Sequence, residues 1–320
     1  MFVVTASLFG AASAFFGPAS TALVPATVSG ERLQQANALL ALTRRGADVF
    51  GPLLAGAIVV AAAPGWVFAI DAATFVVSVL FLLRLRVDDR PATGVRRRFL
   101  AELADGWREV RSRRWLGTAF AAFALGNLGV AAFPVLGPAI AERELGGADA
   151  WGLIVAGGAI GGLAGGIGAY RWLPRRPLLV CFLVFPLAAL PLLALAPPLP
   201  VLAIALANAG FLFGISFGNA IWETVLQQRI PGERLGRVSA YDWMVSLVFM
   251  PIGYVVAGPL ADAIGVEATL VGAAALIVVA DAGALLTAPE LRAMQALPRG
   301  TKAAEPAAAR APERAVGAGA

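Results

Sequence analysis

Charged and polar side chains lie inside long apolar segments of this 320-residue chain. A charge at the centre of a bilayer costs at least about 2.5 to 3.5 kcal/mol, so such residues persist mainly where a cavity or a partner accepts them. We therefore treat seven of them as candidates for a substrate or proton pathway: Arg44, Arg45, Asp48, Asn127, Asn219, Glu223 and Asp242.

Three of these charges share one apolar segment. Asp48 follows Arg44 by four residues and Arg45 by three, so on a helix it can pair with either arginine. In one interpretation, the unpaired arginine faces a translocation path and attracts an anionic substrate bearing a catecholate or a carboxylate. In the other, Asp48 neutralises one arginine while the second extends to the lipid headgroups.

Two carboxylates in the second half of the chain also allow two interpretations each. Glu223, at the edge of its apolar segment, is either a protonatable group in a narrowing cavity or an interfacial carboxylate paired with Arg229 or Arg237. Asp242 is either a coupling group or a charge at the start of a helix, where the helix dipole favours it. Trp243 beside it fits the aromatic belt of a membrane interface.

Few residues support chemical catalysis. The chain has no histidine, one cysteine and no glycine-rich phosphate loop, so metal catalysis, thiol redox chemistry and nucleotide hydrolysis have almost no candidate groups. Cys181 lies within an apolar segment and is interpreted as a small buried residue. We therefore predict no enzyme, no cofactor and no metal site, and any uphill transport must draw on an ion gradient or on a separate energising subunit.

The elements that position these residues are predicted to be membrane-spanning helices. Hydrophobic residues are 59%, charged residues 14% and the mean hydropathy is +0.79, whereas soluble domains carry about 25% charged residues. A bilayer core needs about 20 apolar residues per helix. Nine such windows predict an all-α, polytopic membrane protein: 2–24, 38–62, 67–87, 116–139, 150–170, 177–196, 200–222, 239–260 and 267–287. Glycines at every fourth position from Gly157 to Gly165 predict close packing of one of these helices on another.

The distribution of arginine predicts the orientation of these windows. The connection at residues 88–115 carries many arginines, and short positively charged connections lie on the cytoplasmic side of a membrane. The same side holds Arg171, Arg175 and Arg176, a candidate cytoplasmic gate loop, whereas the opposite side has only Arg143. The C-terminus is then cytoplasmic. The net charge of +5 is explained by anionic lipid headgroups, and no nucleic-acid partner is predicted.

A stretch near the start of the chain recurs in its second half. Gly30-Glu31-Arg32-Leu33 returns 202 positions later as Gly232-Glu233-Arg234-Leu235, and Ala55-Gly56 returns as Ala257-Gly258. Two homologous halves are typical of secondary transporters. On this offset residue 1 corresponds to residue 203, well inside the second half. We therefore expect three further helices before residue 1, giving twelve in all.

Several motifs carry a resemblance to a known family. They include Glu31-Arg32-Leu33-Gln34-Gln35-Ala36-Asn37-Ala38-Leu39, Gly51-Pro52-Leu53-Leu54-Ala55-Gly56, Trp222-Glu223-Thr224-Val225-Leu226-Gln227-Gln228 and Pro251-Ile252-Gly253. Over roughly residues 1–287 the chain resembles the major facilitator superfamily, and within it the enterobactin-exporter-like branch of bacterial efflux proteins. Gly51, Pro52 and Gly56 resemble the antiporter motif of the superfamily's fifth helix, where a proline kink gives rocking a pivot.

The resemblance implies a two-bundle fold, with nine of twelve helices present, and export by proton antiport with alternating access. The expected substrates are small amphipathic siderophores, drugs or metabolites, and the expected state is a monomer in the cell membrane. Two features depart from the family pattern: the gating loop between helices two and three is absent, and Ala6 replaces an arginine common in drug antiporters. The alternative is a truncated remnant or a membrane-embedded partner subunit without transport activity.

The predicted organisation has four parts. A partial N-terminal bundle at 1–87 is followed by a cytoplasmic linker at 88–115, a C-terminal six-helix bundle at 116–287 and a tail at 288–320. Within the linker, Phe99, Leu103 and Trp107 share one side of residues 98–115 and predict an amphipathic helix. The tail is rich in alanine and proline, without periodicity, and is predicted to be disordered.

Overall fold

The computed structural model describes residues 16–17, 19–21, 23–61, 64–84 and 99–297, and its regular elements are helices. After a 3-10 turn at Gly30–Arg32, they are α1 Leu33–Ala61, α2 Pro64–Arg84, α3 Phe99–Ser112, α4 Arg114–Leu145, α5 Ala148–Arg171, α6 Pro177–Leu195, α7 Val201–Arg229, α8 Gly232–Ile264, α9 Val266–Thr287 and α10 Pro289–Ala293. The side chains of Arg45, Asp48, Pro52 and Gly56 lie outside the described part.

Helices α4 to α9 are each long and apolar enough to cross a membrane. They coincide with the six windows predicted between residues 116 and 287. Helices α1 and α2 coincide with the windows 38–62 and 67–87, and the window 2–24 lies mostly outside the described residues. The prediction of an all-helical membrane fold is confirmed.

The helices extend beyond the apolar windows, because a helix satisfies its own backbone hydrogen bonds on either side of the hydrocarbon core. Helix α7 continues to Arg229, and α8 begins at Gly232. Asp242 therefore lies in the interior of α8, well past its first turn, where the dipole effect on a charge has faded. The interpretation of Asp242 as a helix-start charge is wrong.

Helix α5 packs closely on α7 through its glycines. A Cβ atom added to Gly157 would lie 2.7 Å from the carbonyl oxygen of Ala205. At Gly161 and Gly165 it would overlap the backbone of Ala209 and Phe213. Only hydrogen at these positions permits the contact, in agreement with the close packing predicted from the glycine spacing.

Helix α3, the predicted amphipathic linker helix, packs on the start of α8 through ion pairs. The buried Glu109 carboxylate contacts the guanidinium groups of Arg113 at 2.8 Å and Arg234 at 2.6 Å. Burial raises the pKa of Glu109, but the hydrogen bonds and charges of Arg234 and Arg113 outweigh it and hold the pKa below its ordinary value of 4.5. The Trp107 ring lies 5.7 Å from that of Tyr241. These contacts fix the linker to one end of the C-terminal bundle.

Residues 288–297, predicted as the start of a disordered tail, are ordered instead. Ala288 and Leu291 are fully buried, and α10 ends at Ala293. The Ala296 amide donates to the Arg175 carbonyl at 2.9 Å, and Arg229 donates to the Gln295 carbonyl at 2.6 Å. The alanine- and proline-rich composition does not predict these contacts. They depend on which hydrogen-bond donors and acceptors lie at the ends of the neighbouring helices. The rest of the tail lies outside the described residues.

Candidate functional site

A cavity of about 610 Å³ lies among α1, α4, α6, α7, α8 and α9. Its volume is within the range of about 300 to 1,000 Å³ found for small-molecule sites. Its lining on α7 extends from Phe211 to Glu223, about 18 Å along the helix axis at 1.5 Å per residue. The cavity is therefore large enough for a small organic molecule.

The cavity gathers most of the polar residues predicted from the sequence. Each comes from an apolar helix, and together they are Arg44 from α1, Asn127 from α4, Asn219 and Glu223 from α7, and Asp242 from α8. The cavity therefore brings together residues from both repeated halves. The side chains of Arg45 and Asp48 lie outside the described residues, so the predicted pairing of Asp48 stays a prediction.

An ion pair in the cavity wall joins the two halves of the chain. The Arg44 Nη1 atom lies 3.8 Å from Glu223 Oε1, and the Arg44 guanidinium carbon lies 5.8 Å from the centre of the Trp243 ring, within range of a cation–π interaction. Glu223 therefore contacts an arginine of α1, whereas the interfacial interpretation paired it with Arg229 or Arg237. Arg229 instead donates to the Gln295 carbonyl.

Two further pairs of polar groups lie in the lining. The Trp222 indole donates to Asp242 Oδ2 at 3.1 Å, and the Asn127 amide donates to Ser246 Oγ at 3.3 Å. The Trp222 ring lies 4.9 Å from that of Phe123, in an edge-on arrangement. The site thus combines a few directed polar groups with an aromatic wall, as small-molecule sites generally do.

Near one end of the cavity, amide side chains of α1 bond to α5 and α7. Asn37, which lines the cavity, donates to Thr224 Oγ1 at 2.9 Å and to Gln227 Oε1 at 2.8 Å. One turn earlier, Gln34 donates to the carbonyls of Ala169 at 2.5 Å and Trp172 at 2.8 Å. We call this the arginine-rich end; it contains residues 30–34, 171–176 and 229–234.

The sequence did not single out two of the lining residues as functional. Asn37 belongs to the amide-rich run Gln34-Gln35-Ala36-Asn37, whose polarity within an apolar helix was the available signal. Asp281 on α9 lines the cavity and is only 5% exposed. A carboxylate within a helix that is apolar enough to cross a membrane indicates by itself a functional role.

Among the described residues, the gate-loop arginines and Gly51 lie away from the cavity lining. Arg171, Arg175 and Arg176 lie at the connection of α5 to α6, where Arg171 borders a separate pocket of about 50 Å³. Gly51 lies within the continuous helix α1, and a Cβ there would have no neighbour within 4 Å. The pivot at Gly51, Pro52 and Gly56 stays a prediction.

The family model described as the Major Facilitator Superfamily matches residues 1–247. The chain belongs to this superfamily. Its members are multi-pass membrane transporters of small molecules, so the predictions of a bilayer environment and of no enzyme are confirmed.

Among curated proteins, the chain is similar to the multidrug efflux pump Tap of Mycolicibacterium and Mycobacterium species. It is 34% identical to the pump of Mycolicibacterium fortuitum over 113 residues, which are 34% of this chain and 27% of the pump. It is 33% identical to the pumps of Mycobacterium bovis and Mycobacterium tuberculosis over 147 residues, 46% of this chain and 34% of each pump. The matched segments thus span about a third of the length of these relatives.

Proposed function

We propose that this protein exports small amphipathic molecules by proton antiport, with substrate bound in the central cavity and released by alternating access. The observation that carries the proposal is the Arg44–Glu223 ion pair in the cavity wall. It joins α1 to α7, which belong to the two repeated halves. A carboxylate that is ion-paired in one protonation state and released in the other links proton binding to the separation of these helices.

The relatives support drug-like substrates for this superfamily member. The pumps it resembles are called multidrug efflux pumps, and the cavity pairs polar groups with aromatic walls. Nothing in these relatives supports the siderophore specificity predicted from the enterobactin-exporter-like motifs. We therefore propose amphipathic drugs or drug-like metabolites as substrates, a monomeric protein, and an orientation with the arginine-rich end and the C-terminus in the cytoplasm.

The test is dye efflux from cells that express the protein. Cells loaded with a fluorescent amphipathic dye are expected to lose it faster than control cells, and a protonophore is expected to abolish the difference. Glu223→Gln removes the charge that pairs with Arg44 and is expected to reduce the protonophore-sensitive rate about tenfold or more, within the range typical of coupling between two sites.

The matched control is Glu233→Gln. This carboxylate is exposed in the first turn of α8, outside the cavity, and its removal is expected to leave the rate unchanged. Both variants should reach the membrane in equal amounts by immunoblot. Efflux that persists in the presence of a protonophore would exclude proton coupling, and absence of efflux by the unmodified protein would exclude export of that dye.

A further inference from the structure

The cavity contains one carboxylate that the proposed coupling pair does not use. Asp281 lies near the C-terminal end of α9, is 5% exposed and lines the cavity. Among the described residues, its carboxylate has no hydrogen-bond or ion-pair partner. A buried carboxylate without a partner is costly, so a group that binds in the cavity and compensates its charge gains correspondingly in affinity.

The charges of the lining residues indicate which kind of ligand group would compensate the charge of Asp281. Among the described lining residues, the carboxylates are Glu223, Asp242 and Asp281, and Arg44 is the single cation. Arg44 is already beside Glu223, and Asp242 accepts a hydrogen bond from the Trp222 indole N–H. The formal charge of these described residues is therefore negative, and its surplus lies on Asp242 and Asp281. The cavity is thus unfavourable for the anionic, catecholate-bearing substrate that the arginines alone suggested, because such a substrate would meet two unneutralised carboxylates.

We propose that Asp281 binds the positively charged group of an amphipathic cationic substrate. The aromatic side chains of the lining, among them Phe123, Phe185 and Phe211, accept the apolar part of such a molecule and add cation–π attraction. This assignment rests on the proposed transport function and narrows its substrate class. It also divides the roles of the carboxylates, since Glu223 pairs within the protein and Asp281 pairs with the substrate.

The binding test uses radiolabelled tetraphenylphosphonium and the full chain, purified in detergent. Asp281→Asn is expected to weaken binding about tenfold or more, because it removes the negative charge that attracts the phosphonium cation inside a cavity of low dielectric. Asp281→Glu keeps the charge and is expected to bind within about threefold of the unmodified protein. The matched control is Asp262→Asn, which removes an exposed carboxylate of α8 outside the cavity, and its binding is expected to be unchanged.

A neutral ligand of similar shape separates charge recognition from loss of cavity structure. Triphenylphosphine oxide is expected to compete equally well in the unmodified protein and in Asp281→Asn. Equal tetraphenylphosphonium binding by Asp281→Asn and the unmodified protein would overturn the assignment. Equal loss of the cationic and the neutral ligand would overturn it as well, because the residue would then be needed for cavity shape.

Efflux measurements distinguish this assignment from the transport proposal. In cells, Asp281→Asn is expected to lose export of a cationic dye while keeping protonophore-sensitive export of a neutral one. Loss of both would identify Asp281 as a coupling group and overturn the substrate assignment while leaving the transport proposal intact. If the unmodified protein exports neither dye, the transport proposal fails, and Asp281-dependent tetraphenylphosphonium binding would still support a cation site.

Discussion

Arg44 and Glu223 illustrate how a charge is retained inside an apolar helix. Each would be costly alone in the hydrocarbon core, but the structure places their charged atoms 3.8 Å apart and sets the Arg44 guanidinium over the Trp243 ring. The Arg44 side chain is 48% exposed, whereas that of Glu223 is 17% exposed. The ion pair therefore stabilises the Glu223 charge more than it stabilises the Arg44 charge.

Removal of one partner should cost more stability than removal of both. Arg44→Gln leaves Glu223 nearly buried without its cation and is expected to destabilise the protein by about 1 kcal/mol, a value reduced by the exposure of Arg44. The double variant Arg44→Gln/Glu223→Gln should recover most of this loss. The measurement is thermal denaturation in detergent, followed by size-exclusion chromatography.

The control for this cycle is Arg143→Gln, an exposed arginine at the other end of the bundle, which is expected to leave the melting temperature unchanged. A double variant no more stable than Arg44→Gln alone would show that the two residues are not energetically coupled.

Glu109 should make the docking of the linker helix dependent on pH. Its pKa in the folded protein lies below 4.5, so its ion pairs contribute fully above that value and are lost as pH falls through the lowered pKa. Glu109→Gln is expected to cost about 1 to 2 kcal/mol at neutral pH, because its partners Arg113 and Arg234 are partly exposed.

The measurement is the difference in melting temperature between the unmodified protein and Glu109→Gln from pH 7 to pH 3.5. The difference should be constant down to about pH 5 and shrink below the ordinary pKa of 4.5. A difference that grows as pH falls would contradict the ion-pair explanation.

At the scale of elements, the contact of α5 with α7 depends on the absence of side chains. Gly161→Ala places a Cβ against the Ala209 backbone, and helix backbones cannot yield locally as a flexible side chain can. The two helices must therefore separate, at an expected cost of about 1 to 3 kcal/mol. The measurement is the melting temperature, together with the yield of monodisperse protein.

Gly152→Ala on the same helix is the matched control. No atom lies within 4 Å of a Cβ at this position, so the change should be neutral or slightly stabilising through helix propensity alone. Equal destabilisation by the two substitutions would show that glycine is needed in α5 for a reason other than contact with α7.

Helix α1 is joined to its neighbours by hydrogen bonds near its start. Its first turns carry Gln34 and Asn37, which bond to α5 and α7 at the arginine-rich end. Hydrogen bonds between uncharged groups such as these are individually modest, about 0.5 to 1.5 kcal/mol each. Contacts of this strength can be broken and re-formed during a transport cycle, so they suit a helix that must move relative to its neighbours.

At the scale of the whole molecule, the arginine pattern predicts which end faces the cytoplasm. Single cysteines at Gly65 and Ala148, in a Cys181→Ser background, should react with an impermeant maleimide added to intact cells. Cysteines at Leu173 and Arg175, at the arginine-rich end, should react only after the membrane is permeabilised. Cys181 itself is fully buried, so its replacement by serine should change the labelling background little.

Labelling of Leu173→Cys in intact cells would reverse the orientation. Substrate would then enter the cavity from the opposite side, and the proposed direction of transport would be wrong.

Composition and periodicity by themselves determine the class of this protein. A membrane-spanning helix must satisfy its backbone hydrogen bonds internally and match the thickness of the bilayer. Both requirements depend only on the sequence of that one segment. The windows at residues 116–287 therefore became helices α4 to α9. The glycine spacing of α5 likewise predicted a close contact, because the size of a side chain is a local property.

Tertiary structure alone decided which residues meet. Arg44 could be assigned Asp48 as a partner because both lie on one helix, but its contact with Glu223 depends on how α1 approaches α7. The start of α8 at Gly232 placed Asp242 inside the helix, and the orientation of α9 put Asp281 in the cavity wall. Such contacts join residues far apart in the chain, and they depend on helix rotation and packing that no single segment encodes.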